Sequence, residues 1–211
     1  MIIEWEYTGI GAYQQKIKEL ILKNNYNSVD IGGSINSWSY PECKTYIDAI
    51  SPKYDDITLH QVNLENEDDR NKVLEYVNQN GKFDFSICSH TIEDIFNPID
   101  VIKFLTKISK KGYIAIPSKF NEFKRLYGNA YRGNGHHKQF LDVKDNKIVI
   151  YPKFSFIETD NRSDLILNNG KGDELNIMWD ENIDFKVFGD GTPFFGDDSL
   201  INAFYNELLN D

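Results

Sequence analysis

Two adjacent histidines in a glycine-bearing loop, Tyr131-Arg132-Gly133-Asn134-Gly135-His136-His137-Lys138, are the residues of this chain best suited to moving a proton near neutral pH. A neutral imidazole within hydrogen-bond reach of an alcohol is the natural base for activating it. A third imidazole, His90, lies in Ser89-His90-Thr91-Ile92-Glu93-Asp94, and the fourth, His60, falls inside an apolar run. Each of the first three could equally be structural, donating to a backbone carbonyl. Adjacent residues on an extended segment point to opposite faces, so His136 and His137 are expected to differ in role. Tyr131 and Arg132 are nominated to grip an acceptor, together with Asp94. Glu93 and Asp94 could hold a divalent ion, but on a turn that opens a helix they are equally explained as caps, and no metal is expected.

A second group of residues suits a ligand with an amino-acid tail. In Ser28-Val29-Asp30-Ile31-Gly32-Gly33-Ser34-Ile35-Asn36 a short apolar strand stops at two glycines. Lacking a Cβ, Gly32 and Gly33 allow close backbone approach, and Asp30 can hold an ammonium group directly or through water. Asp48 follows roughly twenty residues after that strand, where an acid can accept both hydroxyls of a ribose. Neither the G-x-G-x-x-G of dinucleotide folds nor the G-K-[ST] of a phosphate loop is present, which disfavours a pyrophosphate ligand. Trp38 and Tyr40, just past the turn, could stack on a ring; Trp179 and Tyr127 are better read as packing.

The elements that must position these residues alternate. Residues 13–23 read as an amphipathic helix, 28–31 as a strand, 45–50 as a second strand with at most a short helix before it, and 57–63 as a third. Asn66 caps a helix through 77 that Gly81 closes, 83–88 is a fourth strand, Asn97-Pro98 opens a helix to 109, and 112–117 is a fifth strand. This βαβα pattern, with functional residues at the downstream strand ends, predicts a layered α/β sheet with its ligand at those ends. After residue 118 the pattern changes. A short helix at 120–127, a hairpin of 139–143 with 148–153, a second antiparallel pair of 175–179 with 183–188, and a helix at 200–209 are expected to finish the sheet and cover it.

Residues 28–118 resemble class I S-adenosylmethionine-dependent methyltransferases. Ser89-His90-Thr91-Ile92-Glu93-Asp94-Ile95-Phe96-Asn97-Pro98 matches the S-H-x-L-E-H-x-x-x-P pattern of small-molecule members of the methyltransferase-11 type, with Asp94 in place of the second histidine. That motif followed by the later Tyr131–Lys138 loop is similar to sugar and glycan O-methyltransferases of large DNA viruses and bacterial glycan loci. The resemblance implies a Rossmann-like, mainly parallel seven-stranded sheet whose last strand is antiparallel, with a C-terminal antiparallel cover. It implies S-adenosylmethionine as cofactor, surrounded by Asp30, Gly32, Gly33, Ser34, Asp48, Asn63, Leu64, Ser89 and His90. Asn63 and Leu64 would border the adenine and His90 would wall the methyl group. Catalysis would fall to His136 and His137, with His90 beside them, acting on a sugar hydroxyl.

Composition narrows the rest. At 211 residues with 40 % hydrophobic content, one domain over 1–211 is expected, with a cofactor half at 1–118 and a substrate half at 119–211. Residues 173–211 hold ten acids and one base, leaving 23 acids and 22 bases before them. That acidic end repels polyanions, so neither nucleic acid nor an anionic membrane is an expected partner. No apolar run approaches the ~20 residues of a membrane span, no secretion signal is read at the start, and Cys43 and Cys88 need not pair; a cytoplasmic setting follows, the host's if the source is viral. A homodimer is compatible with all of this. The alternatives are a binding-only module that keeps the cofactor fold, and a methyltransferase for another small molecule.

Overall fold

The computed structural model describes residues 1–50, 57–125, 131–167, 171–190 and 197–209. Five parallel strands form the body of the main sheet: β2 (Ser28–Ile31), β3 (Thr45–Asp48), β4 (Thr58–Gln61), β5 (Phe83–Ser89) and β6 (Ser109–Pro117). Two further strands complete it, β1 (Ile2–Thr8) and β9 (Glu174–Asp180), in the order β1-β9-β6-β5-β2-β3-β4. Strand β9 runs antiparallel to both its neighbours, and β1 therefore points the same way as the other five. The chain thus has a seven-stranded, Rossmann-like α/β sheet in which the last strand alone is antiparallel.

The helices lie where the periodicity places them. Helix α1 (Gln14–Asn24) buries Ile17 and Ile21 against Phe85, Ile87, Tyr113 and Met178 on one face of the sheet. Helices α2 (Glu67–Asn80) and α3 (Pro98–Ile108) cover the other face, where Val73, Val77, Ile102, Leu105 and Ile108 meet Val29, Ile31, Ile114 and Ile177. Burying each such side chain contributes about 1.5–3 kcal/mol. The Asn66 side chain accepts from the Asp69 N–H and caps α2, Gly81 ends it, and Pro98 occupies the first turn of α3. Between β2 and β3 there are turns and no helix. Among the described residues no helix is long and apolar enough to cross a membrane.

The second half departs from expectation in two places. Residues 175–179 and 183–188 do not pair with each other. Strand β9 is buried along six of its seven residues, which suits a strand flanked on both edges, and it inserts between β1 and β6. Strand β10 (Phe185–Val187) instead runs parallel to β8 (Lys147–Pro152), which forms the foreseen hairpin with β7 (Gln139–Lys144). The hairpin turn is tight because Asp145 and Asn146 both take positive φ. The short helix after the sheet, α4, covers only Lys119–Glu122; Tyr127 and Gly128 lie outside the described residues.

The hairpin, α4, α5 (Arg162–Leu167) and α6 (Asp197–Leu209) enclose a second, aromatic core that includes Phe123, Phe140, Tyr151 and Phe204. It is tied to the sheet through Tyr7, which packs against both cores and donates its hydroxyl to buried Asp142. Lys119, itself buried, pairs with the same carboxylate at 2.8 Å.

Candidate active site

The glycine turn follows directly from β2. Gly32 donates its N–H to the Ile47 carbonyl at 2.8 Å and takes φ +80°, a conformation that glycine adopts without cost. A Cβ here would stand 2.2 Å from Thr91 Oγ1, and one on Gly33 would stand 2.1 Å from Asp30 Oδ2. Both glycines are therefore demanded by packing within the protein as well as by access from outside. Asp30 is buried beneath the turn and accepts from Ser39 Oγ at 2.6 Å. Burial pushes its carboxyl up to about 7, against the opposing pull of the Ser39 hydrogen bond. Ser34 is spent on the turn, its N–H donating to Ser37 Oγ and its own Oγ accepting from Asn36.

At the carboxyl ends of the parallel strands lies a cavity of about 320 Å³, lined by Gly32, Asp48, Asn63, Leu64, His90 and Asp94 among others. Six nominated residues from four separate strand ends meet there; Asp30, Gly33, Ser34 and Ser89 do not line it. Asp48 Oδ1 accepts the Ile50 N–H at 2.7 Å, which fixes the carboxylate at the strand end. Asn63 is held by its N–H to Asp69 and its Oδ1 from Glu65, and the Leu64 carbonyl by Arg70.

Both ring nitrogens of His90, the third candidate base, face carboxylates. Its backbone takes φ +51°, and its ring is clamped between two buried carboxylates, Nε2 on Glu174 at 2.8 Å and Nδ1 near Glu93 at 3.3 Å. Its hydrogen bonds to Glu174 and then Glu93 push its pKa up to about 9, which favours the protonated ring near neutrality. Its place on the cavity wall stands. Glu93 is accordingly the partner of an imidazolium rather than a cap.

These shifts set a pH dependence. The native protein holds the His90 proton between pH 6.5 and about 9, and the Asp30 proton between pH 3.8 and about 7, where the unfolded chain has released each. Both groups therefore lower stability as pH rises through those windows. Thermal unfolding is expected to show a midpoint that falls from pH 6.5 to 9, with the slope flattened in His90→Asn. A parent midpoint that holds steady or climbs across that range would contradict the clamp.

The histidine pair is not on an extended segment. Gly135 and His136 make a turn, closed by the His137 N–H on the Asn134 carbonyl, and the two rings come together with centroids 4.5 Å apart. The expectation of opposite faces fails because of that turn. Buried His137 places Nδ1 2.6 Å from Glu122 Oε1, and Glu122 Oε2 accepts from Lys153 at 2.9 Å. In the neutral ring this carboxylate assigns the proton to Nδ1 and leaves Nε2 as the lone pair. His136 is exposed, with Nε2 3.8 Å from Asp94 Oδ1. One donor atom from each of Asp94, His136 and His137 lies within 4.8 Å of the others. The loop is pinned to the Ile92–Asp94 turn by the Lys138 N–H on the Glu93 carbonyl and by Gln139 Nε2 on the carbonyls of Ile92 and Ile95.

A second cavity, about 470 Å³, is lined by Phe96, Asn97, Pro98, His137 and Lys138, among others. Phe96 is 74 % exposed and the Lys138 ammonium sits 4.9 Å from its ring centroid. Neither was nominated; Phe96 lies inside the Ser89–Pro98 motif, and an exposed phenylalanine beside an asparagine and a proline was the available signal. Arg132 was expected to grip an acceptor. It is buried, with Nη1 donating to the Phe123 carbonyl and Nη2 paired with Asp164 at 2.7 Å, so it builds the cover and does not line this cavity. Tyr131 is exposed and also lies off the lining. Trp179 is core, and Trp38 packs edge-on to Tyr113.

No protein-family model and no curated protein matches the chain. Among solved structures, the N-terminal domain of EvdMO1 with SAH bound is similar at TM-score 0.38 and 10 % identity, over 80 % of this chain and 79 % of that one. A SAM-dependent methyltransferase from Thermotoga maritima gives TM-score 0.37 and 12 % identity over 81 % and 98 %. A cyclopropane-fatty-acyl-phospholipid synthase-like protein from Lactobacillus casei gives 0.34 and 16 %, over 54 % of this chain and 55 % of that one, so the match spans about half its length.

Proposed function

We propose that the protein is an S-adenosylmethionine-dependent methyltransferase that methylates a hydroxyl of a sugar or glycan. The observation that carries the reading is the proximity of residues from two cavities: Asp94 lines the one at the strand ends, His137 lines the one beside Phe96, and a donor atom of each lies within 4.8 Å of the other. Adenosylmethionine would supply a methyl group made electrophilic by its sulfonium. Asp48 Oδ2 has no protein partner among the described residues and would accept from the ribose hydroxyls. Asn63 and Leu64 would border the adenine. Asp30, being buried, would reach the ammonium through water. Phe96 and Pro98 offer an apolar surface to the C–H face of a pyranose, and Asn97 and Lys138 offer donors to its hydroxyls. Asp94, His136 and His137 would activate the attacking oxygen, an imidazole of the pair taking its proton, while His90 stays on the cavity wall.

Calorimetry with adenosylmethionine and its demethylated product tests the cofactor half of this reading. Both are expected to bind one to one, and Asp48→Ala is expected to cost ~2–4 kcal/mol of affinity through loss of two charge-assisted hydrogen bonds. Unchanged affinity in that variant would place the ribose elsewhere. Binding without turnover on any acceptor would favour a non-catalytic module, and turnover confined to other acceptors would favour a different small molecule.

A further inference from the structure

We infer that Asp94, His136 and His137 form a binding site for a divalent transition-metal cation, which deepens the reading of this cluster as the place where the acceptor hydroxyl is activated and rests on it for its function. The three donor atoms lie within 4.8 Å of one another. Ligands at ~2.1 Å from a common ion sit roughly 3–4 Å apart, so the three atoms need approach one another by only about 1 Å to share an ion. Two imidazoles and one carboxylate favour Mn²⁺, Co²⁺ or Zn²⁺ over Mg²⁺ or Ca²⁺, which prefer all-oxygen sets.

Three features distinguish this cluster from a chance meeting of polar side chains. His137 carries a buried carboxylate on its far nitrogen, Glu122 at 2.6 Å, itself fixed by Lys153. A carboxylate behind a ligating imidazole orients the ring and raises its basicity toward a metal. The two segments that bring the ligands together are locked by hydrogen bonds from Lys138 and Gln139 to the 92–95 backbone. Finally, Asp94 lines the cavity at the strand ends and His137 lines the one beside Phe96, and three protein ligands leave coordination positions open to a substrate, as in catalytic rather than structural metal sites. An ion there would lower the pKa of an alcohol coordinated in an open position. The O–H bond would then break with its proton passing to solvent, the oxygen lone pair would form the C–O bond, and the C–S bond would break to give a neutral thioether. No electron is gained or lost overall, and the imidazoles act as ligands instead of as the base.

The experiment is titration of the chelator-treated full chain with Mn²⁺, Co²⁺, Zn²⁺ and Mg²⁺ by calorimetry, with visible absorption of the Co²⁺ form reporting nitrogen ligation. One ion per chain is expected, with Mg²⁺ the weakest. His136→Ala and Asp94→Asn, both at exposed positions, are each expected to weaken binding more than tenfold while far-ultraviolet circular dichroism is unchanged. Glu122→Gln is expected to weaken it roughly 10–100-fold. Absence of stoichiometric binding, or binding unaffected by His136→Ala, overturns the inference, and methyl transfer by the metal-free protein would then leave the transferase reading intact. Stoichiometric binding lost in these variants upholds the site even if adenosylmethionine does not bind, an outcome that would sink the transferase reading alone.

Discussion

His136→Ala is expected to slow methyl transfer roughly 10²–10⁴-fold while leaving adenosylmethionine affinity within about twofold, the signature of a group that acts on the acceptor oxygen in the transition state. The side chain is 67 % exposed, with Asp94 3.8 Å away and the His137 ring as its aromatic contact, so its removal disturbs little packing. The same loss is expected whether the imidazole takes the proton itself or holds an ion that ionises the hydroxyl. His137→Ala is expected to lose as much turnover but also to unfold earlier, because it strands the buried Glu122 carboxylate between Lys153 and an empty space. Steady-state rates with each variant, set beside calorimetry for the cofactor, separate the effects. Full activity in His136→Ala would remove the loop from the chemistry.

Gly33→Val is expected to reduce cofactor affinity more than Asp48→Ala does. The added Cβ would stand 2.1 Å from Asp30 Oδ2 and 2.3 Å from its Cγ. Asp30 is enclosed and tied to Ser39, so the turn itself must move away from the strand ends. Gly9→Ala is the control, since a Cβ there meets nothing within 4 Å and its φ is not positive. Retention of tight binding in Gly33→Val would mean that the turn does not frame the cofactor.

The parallel strands, the capped helices and the tight hairpin were legible because each is written locally. Apolar runs stop at glycine or polar residues, Asn66 caps its own helix, and Asp145-Asn146 suits a turn that needs positive φ. Strand β1 was not foreseen. Ile3-Glu4-Trp5-Glu6-Tyr7-Thr8 does alternate apolar and polar residues, the period of a strand, although Ile3 and Trp5 are exposed in the fold. The partners of β9 could not be read either, since a strand buried on both faces carries no record of which neighbours bury it. The site divides along the same line. Gly32, Asp48, Asn63 and Leu64 sit at strand ends that the order of elements places together. The Glu122 partner of His137, the Glu174 side of the clamp on His90 and the Phe123 partner of Arg132 depend on contacts across 9 to 84 positions of sequence, which spacing does not encode.

The most direct test of the account is transfer of a labelled methyl group from adenosylmethionine to a panel of free and nucleotide-activated sugars, followed by alkaline treatment of the products. The account predicts label in the sugar as an alkali-stable ether, formed by the parent protein and strongly reduced in His136→Ala. Tight cofactor binding with no label in any sugar, or label recovered only on nitrogen, would contradict it.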